Sequence, residues 1–92
     1  MLMPLLLKFG HNVRKRRVFL ILSQEALANK CNFHRTYISL LERGKRNITL
    51  SNLVILADGL STSVGYLTDD IARPCVKVIT VLSPPSPEQN QA

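Results

Sequence analysis

The segment from residue 35 to residue 43 carries polar side chains whose types and spacing suit the reading of base-pair edges. At about 100° per residue, one side of a helix there presents four of them together: Arg35, Thr36, Ser39 and Arg43. Arg35 can donate two hydrogen bonds to guanine O6 and N7, and the two hydroxyls can bond base edges or phosphate. Ile38 and Leu41 fall on the opposite side. The pattern therefore predicts a helix from about His34 to Arg43 with one face for a core and one for DNA.

The residues that follow this helix continue its polar character. Gly44 is a natural stop for the helix. Arg43, Lys45 and Arg46 then lie where the chain leaves a groove, which suits contacts with the phosphate backbone. Asn47 completes the polar turn and is a further candidate for contact with DNA. Tyr37 falls nearer to the apolar side of the helix, so packing is favoured over contact with a phosphate or a base.

The formal net charge of +6 is unevenly placed along the chain. Ten of the twelve basic residues lie between Lys8 and Arg46, where only Glu25 and Glu42 oppose them, and the balance reverses from Asn47 onward. A basic region of this kind is expected where one face of a protein meets a polyanion. A solvated basic surface has the same composition, so charge alone does not decide between the two and the helical pattern carries the argument.

Two helices must precede the DNA-facing helix in order to position it. A segment from about Leu5 to Leu22 has a recurring apolar side, formed by Phe9, Val13 and Leu20. Ser23 is a good N-cap for a short second helix from Gln24 to about Lys30. Asn32 tolerates a left-handed conformation, which predicts a tight turn there. His34 then either caps the third helix or contacts DNA.

Two further helices and a different C-terminal segment follow. Thr49 or Ser51 caps a fourth helix, whose core stripe is Leu53, Leu56, Ala57 and Leu60. Ser61 to Leu67 forms a short fifth helix. These elements define a domain over residues 5–70. Residues 71–82 form an extended arm, in which Cys75 to Leu82 is β-branched and predicts a strand that can serve dimerisation, and residues 83–92 form a disordered tail.

The motifs exclude several functional classes. The sequence has no glycine-rich phosphate loop, nucleophile elbow or metal cluster, so we expect no enzyme activity, no cofactor and no metal site. His11 and His34 are too isolated, and Cys31 and Cys75 lack the spacing, to form a zinc site. The apolar run from Met1 to Leu7 is too short to span a membrane. We therefore expect a cytoplasmic protein without a membrane partner, in which the two thiols stay reduced.

Two runs of sequence, read together, carry a family resemblance. Leu22 to Ala28 (LSQEALA) and Arg35 to Gly44 (RTYISLLERG) resemble the Cro/phage-repressor (XRE-type) class of helix-turn-helix domains. Within that class, the run Asn32 to Ser39 (NFHRTYIS), together with Glu42-Arg43 and Arg46-Asn47, is similar to the controller proteins of restriction–modification systems. The resemblance implies an all-α, lambda-repressor-like fold of five helices.

The resemblance also implies roles for individual residues. Gln24 matches a glutamine that holds phosphate and braces the recognition helix. Arg35, Thr36 and Ser39 match its base-reading positions, and Arg43 matches a phosphate contact. Arg17 and Glu42 match a structural ion pair between helices 1 and 3, and helices 4 and 5 match the dimer surface. Ile21 departs from the class, which has glycine there, so we expect the turn between helices 1 and 2 to differ in shape.

The sequence thus predicts a sequence-specific DNA-binding transcriptional regulator. It would bind double-stranded DNA at a pseudo-palindromic operator as a homodimer, with recognition helices about 34 Å apart in successive major grooves. Strands from Cys75 to Leu82 of two chains could pair instead of that helical surface or in addition to it, so we expect deletion of everything after Arg73 to weaken dimerisation. RNA polymerase is a further candidate partner.

Two alternatives remain open from the sequence. The first is an antitoxin, in which the C-terminal arm neutralises a toxin protein while the domain represses its own operon. A neighbouring methylase and endonuclease gene would favour the controller, whereas a neighbouring toxin gene would favour the antitoxin. The second is a protein-interaction module without a specific DNA site, for which a shallow salt dependence and no sequence preference would argue.

Overall fold

The computed structural model describes residues 2–69 and Ile71. Within these residues the chain forms five helices: α1 (Leu2–Phe19), α2 (Gln24–Cys31), α3 (Arg35–Glu42), α4 (Leu50–Gly59) and α5 (Val64–Leu67). This confirms the predicted all-α fold. The predicted strand from Cys75 to Leu82 and the predicted tail over residues 83–92 lie outside the described residues.

A side-chain cap begins each helix from α2 to α5. Ser23, Thr49 and Ser63 each accept a hydrogen bond from the backbone N–H three residues later, at 2.9, 3.1 and 3.0 Å. His34 caps α3 through its ring, since Nδ1 accepts from the N–H of Thr36 at 3.3 Å. Each cap satisfies a backbone donor that the first helical turn leaves unpaired. The third helix accordingly begins at Arg35, and His34 is its cap.

Four left-handed residues end the first four helices: Ile21, Asn32, Gly44 and Ser61, with φ of 58°, 60°, 71° and 52°. At α1 the N–H of Ile21 donates to Val18 O (2.9 Å) and the N–H of Leu22 donates to Arg17 O (3.0 Å). The same pair of bonds recurs at the other three ends, and it is the Schellman pattern that satisfies the last helical carbonyls. Every connection therefore turns within a few residues.

Ile21 occupies the left-handed region even though it is β-branched. This corrects the expectation that its side chain would change the shape of the turn between helices 1 and 2. The two Schellman bonds keep the turn, and the strain is borne by the backbone of Ile21, at about 1–2 kcal/mol for a residue other than glycine. The side chain recovers little in return, because it is 91% exposed.

The core is aliphatic and lies between all five helices. Its fully buried members of largest volume are Leu27, Ile38, Leu41, Leu56, Leu60, Leu67 and Val13. Helix α1 packs against α3 and α5, α2 packs against α3 and α4, and α4 packs against α5. As a result α3 is held on two sides by α1 and α2, with its remaining side free.

Two glycines let α1 approach the C-terminal end of α3 closely. A Cβ atom at Gly10 would overlap the carbonyl oxygens of Leu41 and Glu42. A Cβ atom at Gly44 would lie 2.9 Å from Leu7 Cα, and its positive φ also favours glycine. Backbone therefore meets backbone at this end of α3, which fixes the direction in which the helix leaves the core.

A third glycine makes room for a thiol between α2 and α4. A Cβ atom at Gly59, the last residue of α4, would overlap Cys31 Sγ, which explains why a residue of low helix propensity stands there. Cys31 is only 6% exposed and belongs to the core. Burial raises the pKa of its thiol, and the charge of Lys30 partly opposes that rise. Cys31 is thus a core residue with little thiolate at neutral pH.

Helix α1 differs from its predicted bounds at both ends. It begins at Leu2 instead of Leu5, with Pro4 in the first turn, where a missing N–H breaks no helical bond. It ends at Phe19 instead of Leu22 because the left-handed turn follows at once. Among the described residues, no helix combines the length and the apolar character that crossing a membrane requires.

Candidate nucleic-acid interface

The free side of α3 carries the predicted base-reading residues. We call this surface the reading face, and its members are Arg35, Thr36, Ser39 and Arg43. Arg35, Thr36 and Arg43 are exposed and Ser39 is half-buried. Ile38 and Leu41 are fully buried on the opposite side of the helix. The fold therefore turns hydrogen-bonding groups outward from a helix whose other side is fixed in the core.

A basic loop follows α3 and extends the reading face. It consists of residues 44–47, in which Lys45, Arg46 and Asn47 are all exposed. Together with Arg35 and Arg43, the loop gives this side of the molecule four exposed cations within twelve residues. Among the described residues, none of these four forms an ion pair with a carboxylate. Their charge is left for an anion such as a phosphate.

Tyr37 lies at the junction of the reading face, the basic loop and α4. Its ring is half-buried and meets Phe33 edge-on, with centroids 5.1 Å apart at an interplanar angle of 77°. The guanidinium of Arg46 lies over the ring, 5.0 Å from its centroid. Asn52 Nδ2 donates to the Tyr37 hydroxyl at 3.1 Å. Packing thus dominates at Tyr37, while the hydroxyl stays at the edge of the interface.

Gln24, Arg17 and Glu42 meet in one network behind the reading face. Arg17 donates from Nε to Glu42 Oε2 at 2.5 Å and from its terminal nitrogen to Oε1 at 3.1 Å. Gln24 Nε2 donates to the same Oε1 at 3.1 Å. The Glu42 side chain is only 3% exposed, so its charge is compensated inside the fold. This network ties α1, α2 and α3 together at the point where α2 begins.

Arg14 and Arg16 illustrate what the sequence leaves undecided. Both belong to the basic run from Arg14 to Arg17 in α1. Arg14 is 62% exposed and lies 3.8 Å from Glu42, at the edge of the network. Arg16 is different, because it donates to Leu60 O at 2.9 Å and to Ser61 O at 2.8 Å and so caps the end of α4. Arg16 is therefore a structural residue, which its residue type could not show because its partners are backbone carbonyls.

Two asparagines were not singled out from the sequence and have defined roles in the fold. Asn12 is buried and donates from Nδ2 to the carbonyls of Leu67 and Asp69, both at 3.0 Å, which anchors the end of α5 on α1. Asn52 contacts Tyr37 as described above. Within the described residues, no three side chains of His, Cys, Asp or Glu converge on one point as they would in a metal site.

Comparison with known proteins places this geometry in a family. The family model described as Helix-turn-helix (HTH_3) matches residues 13–67. The control protein C.SmaI of Serratia marcescens is 57% identical over 58 residues, which cover 63% of this chain and 69% of that protein. Residues 13–67, which the family model matches, contain α2 to α5 and the last part of α1.

Solved structures of the same class share the fold. The restriction–modification controller protein C.AhdI from Aeromonas hydrophila superposes with a TM-score of 0.66 at 40% identity, covering 67% of this chain and 94% of that protein. The controller protein C.Esp1396I, solved as a tetramer with its natural 35-base-pair operator, gives 0.66 at 37% identity, covering 73% of this chain and 88% of that protein. The chain therefore belongs to the Cro/C1-type helix-turn-helix family of DNA-binding regulators, alongside the restriction–modification controller proteins.

Proposed function

We propose that this chain is a transcriptional regulator that binds a pseudo-palindromic operator as a homodimer and controls a restriction–modification system. The recognition helix is α3, and in the dimer two copies enter successive major grooves about 34 Å apart. The observation that carries the proposal is the reading face: exposed hydrogen-bonding side chains on a helix whose other side is buried. The controller relatives support the regulated system.

Each member of the reading face has a chemical task in this proposal. Arg35 lies in the first turn of α3 and reads a guanine through two hydrogen bonds to O6 and N7. Thr36 and Ser39 bond base edges or phosphate, and the threonine methyl can sit against a thymine methyl. Arg43 ends the helix and contacts the phosphate backbone. Sequence preference thus comes from the N-terminal half of α3.

The phosphate contacts flank the reading face on both sides. On one side are Lys45, Arg46 and Asn47 of the basic loop. On the other side Gln24, at the start of α2, gives one amide hydrogen to Glu42 and keeps the second for a phosphate. Because Glu42 is itself held by Arg17, the amide of Gln24 is oriented before DNA arrives. These contacts fix the register of α3 without reading bases.

The outer face of α4 supports the homodimer. Leu50, Val54 and Ile55 of this helix are 74%, 54% and 43% exposed. An apolar face of this kind on a small domain is typical of a protein contact surface. Tyr66 of α5 is also exposed, at 38%, so the surface can extend over both helices that the resemblance implied. We propose that the dimer binds its operator in the cytoplasm.

The test is a gel-shift titration of the whole chain on DNA from upstream of its own gene, at two salt concentrations and with random competitor. We expect tight binding that survives the competitor and proceeds in a dimer-sized step. The affinity should fall steeply with salt, because several phosphate contacts release counterions. If the competitor abolishes binding, the basic surface binds DNA only through nonspecific electrostatic attraction, and the proposal is refuted.

A further inference from the structure

The contacts around Tyr37 connect three separate segments of the chain. Phe33 precedes α3, Arg46 belongs to the basic loop, and Asn52 lies in the first turns of α4. All three contact the same ring or its hydroxyl, at 5.1, 5.0 and 3.1 Å respectively. The orientation of the ring is therefore set by its neighbours and not by α3 alone.

Arg46 depends on this ring for its own orientation. It is exposed and lies in a loop, so no helical backbone restricts its direction. A long side chain of this kind samples many rotamers when nothing holds it. Among the described residues, its only aromatic contact is the stack on Tyr37, which directs the guanidinium along the edge of the reading face.

Asn52 in turn fixes the position of the Tyr37 ring through a hydrogen bond to its hydroxyl. Its amide fills an acceptor site of the Tyr37 hydroxyl, so the proton of that hydroxyl points away from the amide and stays available to a phosphate or a base. Asn52 is half-buried and, like Tyr37, it packs at the junction of α3 and α4. Among the described residues, the side chain of Asn52 hydrogen-bonds only to Tyr37, so it reaches the interface through that residue.

We propose that Asn52 is a positioning residue for DNA recognition. It holds the Tyr37 ring as the platform on which Arg46 is oriented, so that the loop arginine and the tyrosine hydroxyl are arranged before DNA arrives. Pre-arranged groups lose less conformational freedom on binding, which strengthens the specific complex. The inference rests on the proposed function, since it assigns Asn52 a part in the same interface.

The test compares Asn52→Ala with Asn29→Ala, the same change at an exposed helical position on α2. Dissociation constants are measured on an operator selected from a randomised DNA library and on random DNA. We expect Asn52→Ala to weaken operator binding roughly fivefold, the factor that one neutral hydrogen bond typically contributes, and to weaken random-DNA binding by a similar factor, because Arg46 contacts phosphates and does not read bases. Asn29→Ala should leave both constants unchanged, and both variants should keep the wild-type helix content.

The double variant Tyr37→Phe/Asn52→Ala tests whether Asn52 affects operator binding through the Tyr37 hydroxyl. If Asn52 acts through the hydroxyl, the double variant binds the operator no more weakly than Tyr37→Phe alone. Losses that multiply would overturn the inference, and so would an Asn52→Ala variant that binds the operator like wild type. In those two cases the wild-type preference for its operator still stands. A wild-type chain without any such preference would overturn the proposed function and the inference with it.

Discussion

Replacement of Ile21 by glycine is expected to stabilise the domain. The left-handed conformation of Ile21 costs about 1–2 kcal/mol, a cost that glycine does not carry. Glycine adds about 0.5–1 kcal/mol of backbone entropy in the unfolded chain, which offsets part of the gain. Loss of the isoleucine side chain costs only a few tenths of a kcal/mol of stability, because that side chain is 91% exposed. The net gain is about 0.5 kcal/mol, or a rise of a few degrees in Tm.

Denaturant and thermal unfolding at one fixed protein concentration measure this gain, since dimerisation would make Tm depend on concentration. The matched control is Ile21→Ala, which removes the exposed side chain but keeps the Cβ atom that makes the left-handed region costly. We expect this control to change the free energy of unfolding by less than about 0.5 kcal/mol. If Ile21→Gly is neutral or destabilising, or if the alanine variant gains as much, the backbone strain argument is refuted.

Three further predictions concern the interface, the dimer and the core. Arg35→Ala should lose about 1–3 kcal/mol on the operator and relax selectivity at one base pair, whereas Arg43→Ala should weaken all sequences alike and lower the salt slope by about one. Val54→Glu should convert the dimer to a monomer in sedimentation, because a charge is placed on the apolar face of α4. Gly59→Ala should destabilise the fold by about 1–3 kcal/mol in denaturant unfolding. In a Cys31→Ala background the same change should stabilise the fold relative to Cys31→Ala alone.

Each of these predictions has an outcome that contradicts it. Arginine variants that lose equal affinity on operator and random DNA would show that the assigned roles are wrong. A Val54→Glu variant that still sediments as a dimer, with unchanged helix content as its control, would move the dimer surface away from α4. A Gly59→Ala variant whose stability does not depend on the residue at position 31 would remove the steric explanation for that glycine.

Helix positions were predictable where polar caps and apolar spacing agree. Ser23 and Thr49 begin α2 and α4 as their side chains suggested, and Asn32 and Gly44 end helices because their residue types tolerate a positive φ. The end of α1 was not predictable. Nothing in the residue type of Ile21 indicates a left-handed turn, and only the Schellman bonds around it show why the turn forms there.

The reading face was predictable for the same reason that α3 was, since its polar and apolar residues alternate with the period of a helix. The supporting residues were less accessible to sequence reasoning. Asn12 and Arg16 donate to backbone carbonyls more than forty positions away, and Asn52 donates to a tyrosine on another helix. Such partners are chosen by packing, so residue type and local spacing carry no signal for them.

The close backbone contact between α1 and the end of α3 has a consequence for the DNA. The cap of His34 holds one end of α3, the contacts of Gly10 and Gly44 hold the other, and Ile38 and Leu41 hold its middle. A helix held in this way has little freedom to adjust to a half-site at the wrong distance. In a dimer the double helix must therefore bend or twist to bring both half-sites into register. The energy of that deformation depends on base pairs between the half-sites, so steps that no side chain touches contribute to the choice of operator.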